Sequence, residues 1–286
     1  MLVVTQPARP SGRGRSVRQP PVAEWAEARS LNVLQPSDVR EPEFLDRLAV
    51  HSPTTAVVVA FGQIFPKALL QLPVRGCINV HASLLPRYRG AAPIQAAIIA
   101  GEQTTGVTTM LMEEGLDTGP ILLQRELDIG QNETAGELAA RLSEAGAELL
   151  LTTLEVRDQG RLEPRPQQDS EATLAPRLRR RDGIIDWNLE AVDIFNLMRG
   201  LTPWPGVSSS LRGQPVKVLW GRPVEGAEVE GSDPGTILGN RDDRLLVSCG
   251  RHSVFGIERL QRAGRKPLPA SAFANGERLE AGERFG

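Results

Sequence analysis

The chain has 286 residues, carries 33 Lys+Arg against 35 Asp+Glu for a formal charge of −2, and is 40% hydrophobic and 24% charged, the proportions of an ordinary soluble globular protein. The near-neutral balance gives no global attraction to nucleic acid, so any such partner must be met by a local patch. Two cysteines are too few for a disulfide scaffold or a zinc ribbon and fit a reducing compartment, and no run approaches the ~18 apolar residues of a membrane span.

Leu2–Thr5 reads as the tail of a strand. Arg9, Arg13, Arg15 and Arg18 follow, with no acid before Glu24. A transit peptide is Arg-rich in this way, but Pro7, Pro10, Pro20 and Pro21 break the amphipathic helix it needs. A basic surface loop without regular structure is expected. Helical patterns follow from Pro21 to Arg29 and from Pro42 to Val50. Ala56–Phe61 is an unbroken apolar run, expected as a strand buried on both faces. A short helix from Pro66 to Gln71, a strand over Cys77–His81, a helix over Ala92–Ala100 and strands over Val107–Met112 and Ile121–Leu127 come next. A long helix runs from about Thr134 to Arg157, with Leu138, Leu142, Ala145 and Leu149 on one side. This alternation predicts a doubly wound, mostly parallel α/β domain over residues 1–160.

The polar, proline-bearing stretch over residues 161–179 reads as a linker. A second domain over residues 180–286 opens with a helix capped by Asn188 and running to Arg199. Short strands between glycines then cover 207–211, 214–220, 236–238, 245–248 and 253–260, the spacing of a small barrel or sandwich. Arg177, Arg179, Arg180 and Arg181 form a basic cluster that is either solvated surface or a nucleic-acid contact.

The informative stretch is Cys77–Gly90. Side chains alternate along a strand, so Asn79 and His81 point the same way, where a strand runs into a Leu-Leu-Pro loop at the edge at which open α/β sheets bind ligands. An amide and an imidazole side by side suit acyl chemistry, the amide donating to an oxyanion and the imidazole donating or moving a proton. Equally, Asn79 could close a turn and His81 be a satisfied core histidine. Asp117 sits after a strand between Gly115 and Gly119; it is a structural turn residue, unless the sheet brings it beside His81 to orient and charge the ring. No Gly-x-Gly-x-x-Gly follows a strand, which disfavours a dinucleotide-dependent dehydrogenase.

NVHASLLPRYRGAAPIQ followed by GVTTMLMEEGLDTGPIL resembles the folate-dependent formyltransferases, whose active sites carry an Asn-x-His and a downstream Asp. TQPARPSGRG, VVVAFGQIFPKALL, IDW, PWPG and GQPVKVLW fall in the family's order, so the resemblance covers nearly the whole chain. It implies a Rossmann-like catalytic domain followed by an OB-like barrel. It also implies Asn79, His81 and Asp117 as the catalytic set, and Ser83, Leu84, Leu85 and Pro86 as the turn against the folate. The loop with Arg9, Arg13, Arg15 and Arg18 resembles the insertion that reaches the acceptor end of tRNA, with Arg13 central. The implied reaction moves a formyl group from 10-formyltetrahydrofolate, without a metal, to the α-amino group of initiator methionyl-tRNA, in a cytoplasmic monomer. The family normally opens some thirty residues earlier, with a central strand ending in Gly-Thr-Pro, so the resemblance implies a chain lacking its first strand and exposing neighbouring strand edges. A relative acting on a small amine would share the three site residues but lack a reason for the Arg-rich loop. A non-catalytic RNA-binding descendant would be expected to lose one of the three, or the folate turn.

Overall fold

A computed structural model describes residues 1–11, 16–227, 229 and 231–286. In chain order the first half holds β1 (Leu2–Val4), β2 (Arg9–Ser11), β3 (Ser16–Arg18), α1 (Pro21–Glu27), β4 (Asn32–Leu34), α2 (Pro42–Ala49), β5 (Ala56–Val58), α3 (Lys67–Gln71) and β6 (Cys77–His81). It continues with β7 (Arg89–Gly90), α4 (Pro93–Ile99), β8 (Thr104–Leu111), β9 (Ile121–Asp128) and α5 (Ala135–Asp158). The second half holds β10 (Leu174–Ala175), α6 (Ala191–Gly200), β11 (Val207–Leu211), β12 (Gln214–Pro223), β13 (Ile237–Arg241), β14 (Arg244–Ser248), β15 (Val254–Arg262), β16 (Leu268–Pro269) and α7 (Ala270–Glu277). The chain forms two compact units, Met1–His81 with Val107–Arg125 and Gly146–Glu171, and Ala82–Gly106 with Glu126–Ala145 and Ala172–Gly286.

In the first unit the sheet is mixed. β1 pairs β4 and β5 pairs β6 in parallel, while β8 runs antiparallel to β6. Helices cover both faces of β6: the Cys77 thiol faces the Leu69 and Leu70 carbonyls beside α3, and Val80 lies under Gly146 of α5. A Cβ at Gly146 would sit 3.1 Å from Val80 Cγ1, so the glycine sets how closely helix and sheet approach. Across the same interface the hydroxyls of Thr109 and Thr153 bond at 2.8 Å. α5 begins on a reciprocal cap, in which the Glu137 carboxylate accepts from the Thr134 amide and the Thr134 hydroxyl accepts from that of Glu137.

Three expectations are corrected here. The run from Ala56 is a strand only to Val58 and is not buried on both faces: Val57 and Val59 are 44% and 61% exposed. Among the described residues β5 has a strand partner only in β6. β1 likewise pairs only β4, although the Gln6 amide donates to the Phe61 carbonyl and ties the ends of β1 and β5 together. The basic segment is not irregular on its described flanks, because β2 and β3 form an antiparallel ribbon with Arg9 opposite Arg18. A free-edged ribbon tolerates Pro10, whose missing N–H costs no shared ladder bond.

In the second unit the ladder β11-β12-β15-β14-β13, with β16 beside β15, wraps a core that includes Trp187, Leu211, Phe255 and Phe285. Residues 282–286 close it. Ser210 and Gly286 exchange backbone hydrogen bonds on the β11 side, while Ile237 donates to Glu283 and Phe285 to Gly235 on the β13 side. Phe285 is fully buried with its ring 5.6 Å from that of Trp187. Asn188 does not cap α6: its amide is drawn to the Asp186 carboxylate at 2.7 Å, and α6 starts three residues later with Glu190 before it. The helix α7 lies outside every sequence expectation. No helix among the described residues is long and apolar enough to cross a membrane.

Candidate active site

The site is built on the carboxyl end of β6. In its register with β8, Asn79 stands opposite Met110 and His81 opposite Thr108, so the amide and the imidazole share one face. Cys77 shares that face but meets the Leu69 carbonyl of α3; the two polar residues lie further along the strand. His81 is 6% exposed and Asn79 partly buried, so neither is a surface side chain. Beside the imidazole, the fully buried Thr108 accepts a hydrogen bond from the Gln124 amide at 3.0 Å.

The third member arrives from 36 residues beyond His81. After β8 the chain makes the turn Gly115–Gly119 with Asp117 at φ +52°, a left-handed conformation that Asp tolerates better than most residues. This aims the carboxylate back at β6: Oδ2 lies 3.6 Å from His81 Nδ1, and Oδ1 lies 3.5 Å from Asn79 Nδ2. The turn thus does reach His81: amide, imidazole and carboxylate form one cluster. No room exists for another residue at the end of the turn, since a Cβ on Gly119 would fall 1.9 Å from the Leu111 carbonyl oxygen.

One residue of this neighbourhood escapes the sequence reading. Arg165 and Ile121 exchange backbone hydrogen bonds at 2.8 Å, and two residues on the Gln167 amide donates to the carbonyls of Asp117 at 2.8 Å and Gly119 at 2.7 Å. Gln167 is the one half-buried residue among the exposed positions 163–171. A glutamine after a proline in a polar stretch carries no local signal of this role. Residues 161–179 are accordingly not a free linker, and β10 is pinned to β7 as well. In the turn that follows β6, the Ser83 hydroxyl donates to the Arg87 carbonyl and Leu85 is 3% exposed, leaving Leu84 and Pro86 as the partly accessible side chains. Arg9 and Arg18 are exposed on the ribbon; Arg13 and Arg15 lie outside the described residues. No group of three or more His, Cys, Asp or Glu that could hold a metal ion occurs among the described residues.

This cluster on a mixed α/β sheet, followed by a small barrel, is matched by two family models. Residues 1–154 match Formyl transferase and residues 177–278 match Formyl transferase, C-terminal domain. The chain belongs to the formyltransferase family. This formyltransferase is 48% identical over 286 residues to the methionyl-tRNA formyltransferase of Geobacter sulfurreducens, covering all of this chain and 89% of that one. It is 49% identical to that of Citrifermentans bemidjiense, covering 100% and 88%. Among solved structures, HypX from Aquifex aeolicus in complex with tetrahydrofolic acid superposes with a TM-score of 0.64 at 19% identity, covering 99% of this chain and 48% of that one; it shows the shared fold.

Proposed function

We propose that this formyltransferase moves the formyl group of 10-formyltetrahydrofolate to the α-amino group of initiator methionyl-tRNA, with Asn79, His81 and Asp117 as its catalytic residues. The observation that carries the reading is the approach of one carboxylate to both the imidazole and the amide. A free α-amino group has a pKa of about 7.7–8.0, so at pH 7 most of it is protonated and cannot attack. Asp117, directly or through a water, takes the proton released as nitrogen bonds to the formyl carbon. Asn79 and His81 donate to the oxyanion of the tetrahedral intermediate, which collapses by breaking the bond to the folate nitrogen as that nitrogen gains a proton. The products are formylated methionyl-tRNA and tetrahydrofolate.

Leu84 and Pro86 support the reading of the folate turn, as the side chains of that turn left partly open. Arg9 and Arg18, directly opposite on the ribbon, present paired positive charge suited to a phosphate backbone, and Arg13 and Arg15 belong to the same basic run. The exposed Arg177, Arg179, Arg180 and Arg181 extend that electrostatic reading to the segment before the barrel. The protein acts as a cytoplasmic monomer, with residues 1–160 catalytic, 161–179 connecting, and 180–286 an OB-like tRNA-binding domain. The test is formyl transfer from 10-formyltetrahydrofolate to charged initiator tRNA against small amines such as an amino sugar nucleotide. Transfer to the tRNA alone is expected; transfer only to the small amines overturns the assignment.

A further inference from the structure

We infer that Gln167 is a positioning residue for formyl transfer, its side-chain amide holding the backbone turn that presents Asp117 to Asn79 and His81. The inference rests on the function proposed above and names a further residue of that same site. The turn carries its carboxylate on a residue at φ +52°, a conformation that persists only where surrounding contacts impose it. On one side those contacts are the Leu111–Pro120 backbone bond and the close approach of Gly119 to the Leu111 carbonyl. On the other side they are the two hydrogens of a single amide group, one on the Asp117 carbonyl and one on that of Gly119.

Gln167 reaches these oxygens because Arg165 pairs with Ile121 and the following residues run antiparallel past Pro120, where neither Pro120 nor Pro166 has an N–H to satisfy. Without the amide, water can solvate both carbonyls, but the two residues lose the hold on their outer side and keep only that on the Leu111 side. A catalytic group displaced by about an ångström forfeits about 10²-fold in rate. Gln167 touches no reacting atom in this scheme and acts through Asp117.

The experiment is steady-state formyl transfer by the full chain with Gln167→Met, matched in length but without donors, and Gln167→Lys, which restores N–H donors at similar reach. Thermal melting is followed alongside, and Asp117→Asn is made alone and combined with Gln167→Met. Gln167→Met is expected to lower kcat by about 10- to 100-fold, with KM for both substrates within about threefold. Gln167→Lys is expected to recover most of the loss. In the Asp117→Asn background, Gln167→Met should cost nothing further, because the group it positions is already gone. If Gln167→Met does not fold, Gln167→Glu, isosteric and lacking the donors, carries the same expectations. Wild-type kcat in Gln167→Met beside an impaired Asp117→Asn, or losses that multiply in the double variant, overturns the inference alone. Absence of formyl transfer by the wild-type chain overturns the reading of the site and this inference with it.

Discussion

Asn79 and His81 occupy one strand two residues apart, yet they are held differently. The imidazole is buried beside Thr108 and faces a carboxylate, while the amide is half-open and meets the same carboxylate at 3.5 Å. In the proposed mechanism each supplies one oxyanion donor, so Asn79→Ala or His81→Ala is expected to lower single-turnover formyl transfer by ~10²–10³. A rate near wild type would remove that residue from the mechanism. The cysteines make a different statement. Burial pushes the Cys77 thiol up to about 11 and the Cys249 thiol up to about 12, from an ordinary value of 9.0. Above pH 9 the unfolded chain loses these protons while the folded chain keeps them. Their contribution to stability is thus whole below pH 9 and drains as pH climbs through about 11 and 12. Urea unfolding at pH 8 and pH 10.5 should show that loss, and Cys77→Ala should make it shallower even where it lowers stability overall. At this scale Asn79 and His81 were legible as a pair because strand alternation is local. The approach of Asp117 was not, since nothing in the spacing reports where a turn after another strand will lie.

Elements carry the placement that residues alone cannot. The turn that delivers Asp117 depends on Gly119, whose missing side chain leaves just enough space for the Leu111 carbonyl. Gly119→Ala is expected to destabilise the protein by about 3 kcal/mol, the upper range for inserting atoms where no space exists, and to depress kcat with it. Denaturant unfolding together with turnover checks this, and an unchanged midpoint would show that the turn has slack. The strands Cys77–His81 and Val207–Leu211 lie where the pattern puts them, because Gly76, Gly206 and Gly213 and, in the second strand, the alternation of buried and open positions mark their ends locally. The long helix was legible too, from its Leu138–Leu142–Leu149 stripe and its Thr134 cap. Misreadings arose where a side chain has a competing partner, close by or far along the chain. Asn188 has the chemistry of a cap but is captured by Asp186, and the stretch through Gln167 has a linker's composition yet is held by bonds to residues some fifty positions earlier.

At the scale of the whole molecule, β5 has an edge that no other strand pairs among the described residues. Val57 within the strand and Val59 just beyond its end are also exposed. Such an edge templates pairing with other chains. Light scattering by the chain is therefore expected to rise with concentration, and Val59→Lys to suppress it without changing kcat, a charged edge being a common block to pairing. Equal scattering by both proteins would place the association elsewhere. The barrel has the opposite arrangement, its first strand and its β13 side both sealed by residues 282–286. That seal joins Leu211 to Phe285 and Thr236 to Arg284, contacts separated by dozens of residues. Nothing local can stand in for them, so an intermediate with β11 to β15 assembled still has two raw margins and a Trp187 ring awaiting its lid. A protease that trims those five residues is then expected to undo the barrel without touching a single one of its long strands.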